Sequence, residues 1–182
     1  MLFRSDKKLI DALAEGLYLL HVERNADVVC MTSYAPLFAK KDATNWNPDL
    51  IYFDNEHTYL TCSYYVQQMF GQSSGDYYYG DCVSIDGADK LQDQSVVLNT
   101  KTRELFVKVC NASDKPMQAK LNLDRFKGLK SQGTLTTIAG QPDDENNYEA
   151  QPIKPVVEQL KVKKQMTLDI KPYSISMLRV KL

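Results

Sequence analysis

"SVVLNTKTRELFVKVCNASDKPMQAKLNL", residues 95–123, is the stretch that decides the fold. Leu105, Val107 and Val109 alternate with Phe106, Lys108 and Cys110, and Met117, Ala119, Leu121 and Leu123 alternate with Gln118, Lys120 and Asn122. Side chains of an extended chain point to opposite faces in turn, so a period of two predicts strands with one face on a core. Turn residues at 99–102 and 111–116 divide the stretch into three antiparallel strands. Downstream, "GTLTTIAG" (133–140), "QMTLDI" (165–170) and "YSISMLRVKL" (173–182) predict three more. In the last, apolar positions step by two through Ile175 and Met177, then shift to Leu178, Val180 and Leu182, which predicts a β-bulge near residues 177–178. Residues 141–159, "QPDDENNYEAQPIKPVVEQ", form a Pro- and acid-rich excursion with little period. Short strands spaced by turns predict a mainly β fold, an antiparallel β-sandwich of jelly-roll type.

Upstream the grammar differs. Residues 5–22 place Leu9, Ile10, Leu13, Leu17 and Leu20 at helical spacing, with Ser5 as the expected N-cap and Asp6 at the positive end. Residues 26–32 are nearly all apolar, which predicts a strand buried on both faces. After a long polar loop, residues 63–70 predict a second helix capped by Ser63 and stopped at Gly71. A helix, strand, long loop and helix form the pattern of a βα-repeat protein. A composition break at residues 72–82 sets the expected boundary between units 1–75 and 76–182.

The chain has 182 residues with 22 basic and 23 acidic side chains and a net charge of −1. That balance argues against nucleic-acid binding, which needs clustered cations to neutralise phosphates. The apolar stretches are shorter than the roughly 20 residues of a membrane helix. The charged opening is not a secretory signal, and the compartment is left open. Cys30, Cys62, Cys82 and Cys110 lack metal-ligand spacing. Cys30 and Cys110 read as small buried hydrophobes, and a Cys62–Cys82 disulfide is allowed. No metal or cofactor is expected.

Few motifs carry chemistry. Glu23, Asp54, Glu56, Asp76 and Asp81 are the candidate carboxylates outside the sandwich, and none lies in an apolar run that would raise its pKa. "DNEH" at 54–57 reads as a capped turn. "YYYG" at 77–80 reads as a stacking platform or a packing surface between units, and "DDENNYE" at 143–149 as a solvated acidic loop rather than a calcium site. Asn111-Ala-Ser113 matches a glycosylation acceptor and also suits a turn. Residues 34–55 hold Trp46, the one tryptophan, between Asn45 and Asn47. An aromatic ring beside amides suits a sugar, because the ring face packs on C–H groups while amides bond hydroxyls.

"LAEGLYLLHVERNADVVCMTSYAPLF", "NWNPDLIYFDN", "SYYVQQMF" and the later "DDENNYEAQPIKPV" resemble, in order and spacing, the late part of family 51 glycoside hydrolases, the α-L-arabinofuranosidases. The resemblance runs from about residue 9 to the end. It implies a retaining enzyme built as a (β/α)8 barrel followed by a β-sandwich, acting on arabinose-containing polysaccharide. Its two catalytic glutamates, on barrel strands four and seven, fall upstream of this chain. Residues 26–32 would be the eighth barrel strand, and the 33–58 loop would lie at its C-terminal end, where barrel enzymes build their sites. Tyr34, Asn45, Trp46 and Asn47 would then line the rim of an arabinofuranose pocket; the other reading has Trp46 anchoring the loop. Shorter family members carry a substrate-facing glutamine at the position of Pro36. No catalytic residue is expected within the chain. A carbohydrate-binding or oligomerisation module is the alternative, with self-association through the barrel remnant.

Overall fold

The computed structural model describes residues 7–182. Helices α1 (Leu9–Arg24) and α2 (Cys62–Gly71) flank a small sheet of β1 (Phe38–Lys40), β2 (Ile51–Phe53) and β3 (Thr58–Leu60). The remaining strands are β4 (Tyr77–Tyr78), β5 (Val83–Ile85), β6 (Gln92–Asn99), β7 (Glu104–Asn111), β8 (Met117–Asn122), β9 (Gln132–Ala139), β10 (Val156–Lys161), β11 (Gln165–Ile170) and β12 (Ser174–Lys181). They form a six-stranded sheet in the order β10-β9-β12-β7-β6-β4 and a three-stranded sheet in the order β11-β8-β5. The pairings within both sheets are antiparallel, as the alternation predicted.

The two sheets enclose one core, with Leu105, Val107, Val109, Leu121, Leu168 and Leu178 at its centre. The opposite face of the six-stranded sheet is also covered. Helices α1 and α2 lay Leu9, Leu13, Leu20, Val66 and Phe70 against Cys110, Ile138 and Ile175. This second layer explains why every residue of β7 is buried, where one solvated face was expected. It also removes the predicted bulge. β12 pairs with β7 residue for residue, Ser174 to Asn111 through Lys181 to Glu104. Ile175 and Met177 serve the helix side, Leu178 and Val180 the sandwich side, so the apolar pattern changes face while the register stays continuous. Gly16 lets α1 approach closely: a Cβ there would stand 3.0 Å from Ile175 Cδ1.

Three other expectations change. Residues 26–32 form no strand: a turn leads into irregular chain that exposes Val28 (76%) and Met31 (81%). A strand of a parallel barrel takes hydrogen bonds from neighbours on both edges, and among the described residues no strand runs beside this segment. Cys30 is accordingly exposed, whereas Cys62, Cys82 and Cys110 are buried, and all four thiols are free. The 33–58 loop is partly ordered into β1, which runs parallel to β2, and β3, which runs antiparallel to it.

Helix α1 starts at Leu9 with Lys8, not Ser5, at its N-cap position, and no side chain caps it. Ser5 and Asp6 lie outside the described residues. The exposed N–H groups are met by the acidic loop instead. Leu9 N donates to Asp144 O (2.8 Å) and Ile10 N to Pro142 O (3.1 Å). "DDENNYE" is therefore a clasp for the first helix. Helix α2 is capped by Thr61, whose hydroxyl accepts from Tyr64 N, two residues earlier than the expected Ser63. Among the described residues no helix is long and apolar enough to cross a membrane.

Candidate functional site

Glu15 lies on the flank of the buried stripe of α1, facing α2. Ser63 and Gln67, four residues apart on α2, share the face that meets it. Ser63 Oγ donates to Glu15 Oε1 at 2.9 Å, and Gln67 Nε2 donates to Oε2 at 3.2 Å. The half-buried Tyr34 hydroxyl joins this group through Glu15 and Ser63. Burial first, and then the Glu15 charge, push the Tyr34 phenol up to about 12. Burial also raises the Glu15 carboxyl, against the hydrogen bonds from Gln67 and Ser63. Glu15, Tyr18, Thr32, Tyr34 and Gln67 line a cavity of about 200 Å³.

The raised Glu15 pKa fixes a sign. The folded chain holds this proton more tightly than the unfolded chain. The group's contribution to stability is therefore largest below the ordinary carboxylate range and is lost as pH rises through the raised value. Glu15→Gln is expected to flatten that part of the profile. Urea midpoints at pH 4 and pH 7 check it; a variant with the same pH slope as the parent would show that Glu15 titrates normally.

A second group sits under the loop between β1 and β2. Tyr52 and Tyr59 stack with centroids 4.8 Å apart, and Tyr148 meets Tyr59 edge-on at 4.7 Å. Lys7 Nζ lies 4.8 Å from the Tyr52 ring centroid. Tyr52 Oη donates to Asn47 Oδ1 at 2.6 Å and accepts from Asp49 N at 2.9 Å. Asn47 is thus braced from below, while Asn45 is exposed and the Trp46 indole stands 63% exposed at the loop tip. Thr44 Oγ1 donates to the Trp46 carbonyl at 3.2 Å.

Glu15 and Asp49 are the residues that sequence reasoning missed. Asp49 is 1% exposed, burial raises its pKa, and its Oδ2 has no hydrogen-bond partner among the described residues. Its signal was present in "PDLIYF", a carboxylate entering an apolar run.

Four of the other candidate carboxylates are engaged structurally. Glu23 pairs with Lys108 at 2.6 Å. Asp54 Oδ1 accepts from Glu56 N and His57 N, and those bonds lower its pKa, so "DNEH" is a capped turn. Asp76 accepts from Thr100, and Asp81 forms a two-pronged pair with Arg125. Within "YYYG", Tyr77 is exposed, Tyr78 Oη accepts from Arg24 Nε at 3.3 Å, and Tyr79 packs on Phe126. Asn111 is fully buried, with its amide donating to Lys115 O and Lys171 O, so the acceptor pattern there is a turn. No three His, Cys, Asp or Glu residues gather as a metal would require, among the described residues.

The family model for the α-L-arabinofuranosidase C-terminal domain matches residues 2–174. The chain belongs to that family. Probable α-L-arabinofuranosidase A of Aspergillus terreus is 30% identical over 142 residues, covering 77% of this chain and 21% of that protein. α-L-Arabinofuranosidase 1 of Arabidopsis thaliana is 49% identical over 67 residues, covering 37% of this chain and 10% of that one. Among solved structures, an arabinose-bound family 51 α-L-arabinofuranosidase superposes with a TM-score of 0.88 at 27% identity, over 96% of this chain and 28% of the other. The Thermotoga maritima α-L-arabinofuranosidase in complex with arabinose shares the fold, with a TM-score of 0.78 at 17% identity over 96% of this chain and 39% of that one. This α-L-arabinofuranosidase C-terminal domain therefore spans about a fifth of the Aspergillus relative, and it corresponds to the C-terminal portion of family 51 glycoside hydrolases.

Proposed function

We propose that the chain serves as the C-terminal part of a retaining α-L-arabinofuranosidase that releases terminal arabinofuranosyl residues from plant polysaccharides. The family match over residues 2–174 carries this reading. Residues 1–75 form the closing part of a catalytic barrel and residues 76–182 a sandwich unit. Both catalytic glutamates belong to the barrel outside this chain. Tyr34, Asn45, Trp46 and Asn47 contribute the rim of the arabinofuranose pocket: the exposed indole packs on the sugar's C–H face, and the amides bond its hydroxyls. Bracing Asn47 through Tyr52 limits the loop's freedom to fold over. Binding contacts alone lower no barrier unless they favour the transition state.

The isolated chain is therefore expected not to hydrolyse an aryl α-L-arabinofuranoside, while arabino-oligosaccharide shifts the Trp46 emission to the blue. Turnover by the isolated chain would place a catalytic pair inside it and sink the proposal. An unresponsive Trp46 would remove it from the rim.

The oligomerisation reading is favoured by one observation, the run of exposed Val28, Met31, Leu37 and Phe38. Exposed large apolar side chains this close in sequence favour burial against a partner. The isolated chain is expected to self-associate through it. Light scattering over a hundredfold concentration range tests this, and a constant monomer mass would reject it.

A further inference from the structure

The helices cover only part of the six-stranded sheet. Two register rows run outward from covered β7 to open β10: Lys108–Met177–Thr136–Val157 and Phe106–Arg179–Thr134–Gln159. On β9 the same face holds Ile138, buried under α1 and α2, and then turns to hydroxyls two and four residues away. Helix α2 rises beside this shelf, so the surface is a cleft of about 340 Å³, within the roughly 300–1,000 Å³ of small-molecule sites. Tyr65, Gln68 and Gln72 form its helical wall, and Thr134, Thr136 and Arg179 its floor.

Its polar groups have capacity to spare. Among the described residues, the side chains of Thr134, Thr136 and Gln72 make no hydrogen bond. Gln68 Nε2 donates to Tyr64 Oη, which leaves its amide oxygen open. Arg179 directs Nε and Nη2 to Glu104 Oε1 at 2.9 and 2.6 Å, so its charge is balanced while Nη1 remains. Met177, Val157 and the Tyr65 ring add apolar surface. A neutral cleft of hydroxyls, amides and one balanced guanidinium beside apolar groups suits an uncharged polyol ring.

We propose that this cleft is a second saccharide-binding site, taking a neutral pentose oligosaccharide; the choice of pentose rests on the arabinofuranosidase reading above. Its lining shares no residue with the Trp46 loop, so it would hold a polymer chain while the rim engages one terminal sugar.

The test is a titration of the ¹⁵N-labelled 182-residue chain with arabinotriose, and with maltotriose as a hexose control. Arabinotriose is expected to move the side-chain amides of Gln68 and Gln72 and the backbone amides of Thr134 and Thr136. Gln72→Ala and Thr136→Val, which remove one hydrogen bond each, should weaken binding about three- to tenfold, with the core resonances unchanged as the check on folding. Shifts at the cleft with a silent Trp46 indole would support this site and remove Trp46 from the rim. Shifts at Trp46 alone would overturn the second site and leave the first. Equal shifts with maltotriose would overturn the pentose assignment, and none at the cleft with either sugar would make it a solvated face.

Discussion

Glu23→Ala is expected to destabilise the chain by about 3–5 kcal/mol, the cost of leaving one partner of a buried pair alone, and to lower Tm by about 6–20 °C at this chain length. Lys108 is fully buried in the middle of β7. Its ammonium donates to Glu23 Oε1 at 2.6 Å and Ser73 O at 2.8 Å, and it lies 5.1 and 5.7 Å from the Phe70 and Phe106 ring centroids. Without Glu23, one carbonyl and two ring faces would remain to hold a full charge out of water. Burial already lowers the Lys108 pKa, against the pull of Glu23. A lysine lowered in the folded state makes the unfolded chain bind more protons in the window between the folded value and about 10.4, so stability rises with pH there. Glu23→Ala widens that window, and the variant should regain part of its loss on going from pH 7 to pH 10. The double variant Glu23→Leu with Lys108→Met should recover most of the stability, because an apolar pair of similar volume removes the desolvation cost. Urea unfolding of the singles and the double decides the matter; purely additive losses would mean the two groups are not a unit.

Asn146→Ala is the second large effect, about 3–5 kcal/mol. The side chain is fully buried and makes three bonds to backbone: Nδ2 to Leu60 O (2.9 Å) and Ile153 O (2.7 Å), and Oδ1 from Ile153 N (3.0 Å). Each buried group left unpaired costs about 1–3 kcal/mol. The loss should spread to α1, because the loop that Asn146 fixes supplies the carbonyls accepting from Leu9 and Ile10. Hydrogen exchange should therefore quicken in the first turns of α1 while residues 105–109 stay protected. Equal acceleration in both places would mean global unfolding without a clasp.

Alternation made six strands legible, from β6 through β9 and then β11 and β12, because a half-covered strand must write its period into sequence. Where both faces are covered, the period misleads: Lys108 reads as solvent-facing, and only its distant partner Glu23 shows otherwise. The three-residue strands β1 to β3 are too short to carry a period, and β10, mostly exposed, has no apolar face to declare itself. The apolar run at 26–32 announced burial, but pairing partners are a property of neighbours, not of the run. Within the candidate site, the Trp46 loop stood out by composition. Glu15 did not, since Ser63 and Gln67, which hold its carboxylate, come from a distant helix; Asp49 was marked only by the apolar run that follows it.

The position of β12 has a consequence for synthesis. This strand fills the middle of the six-stranded sheet, matched to β7 over eight residues and to β9 over seven, and Ile175 on it lies under the helices. The β6–β7 hairpin has local contacts and can form as soon as it leaves the ribosome, but β9 has no inner neighbour until residues 174–181 emerge. Helices made first must wait for the strand made late, their apolar stripes open to chaperones or to other nascent copies in the meantime. Premature termination shortly before Ser174 would thus release not a slightly trimmed domain but one that cannot close.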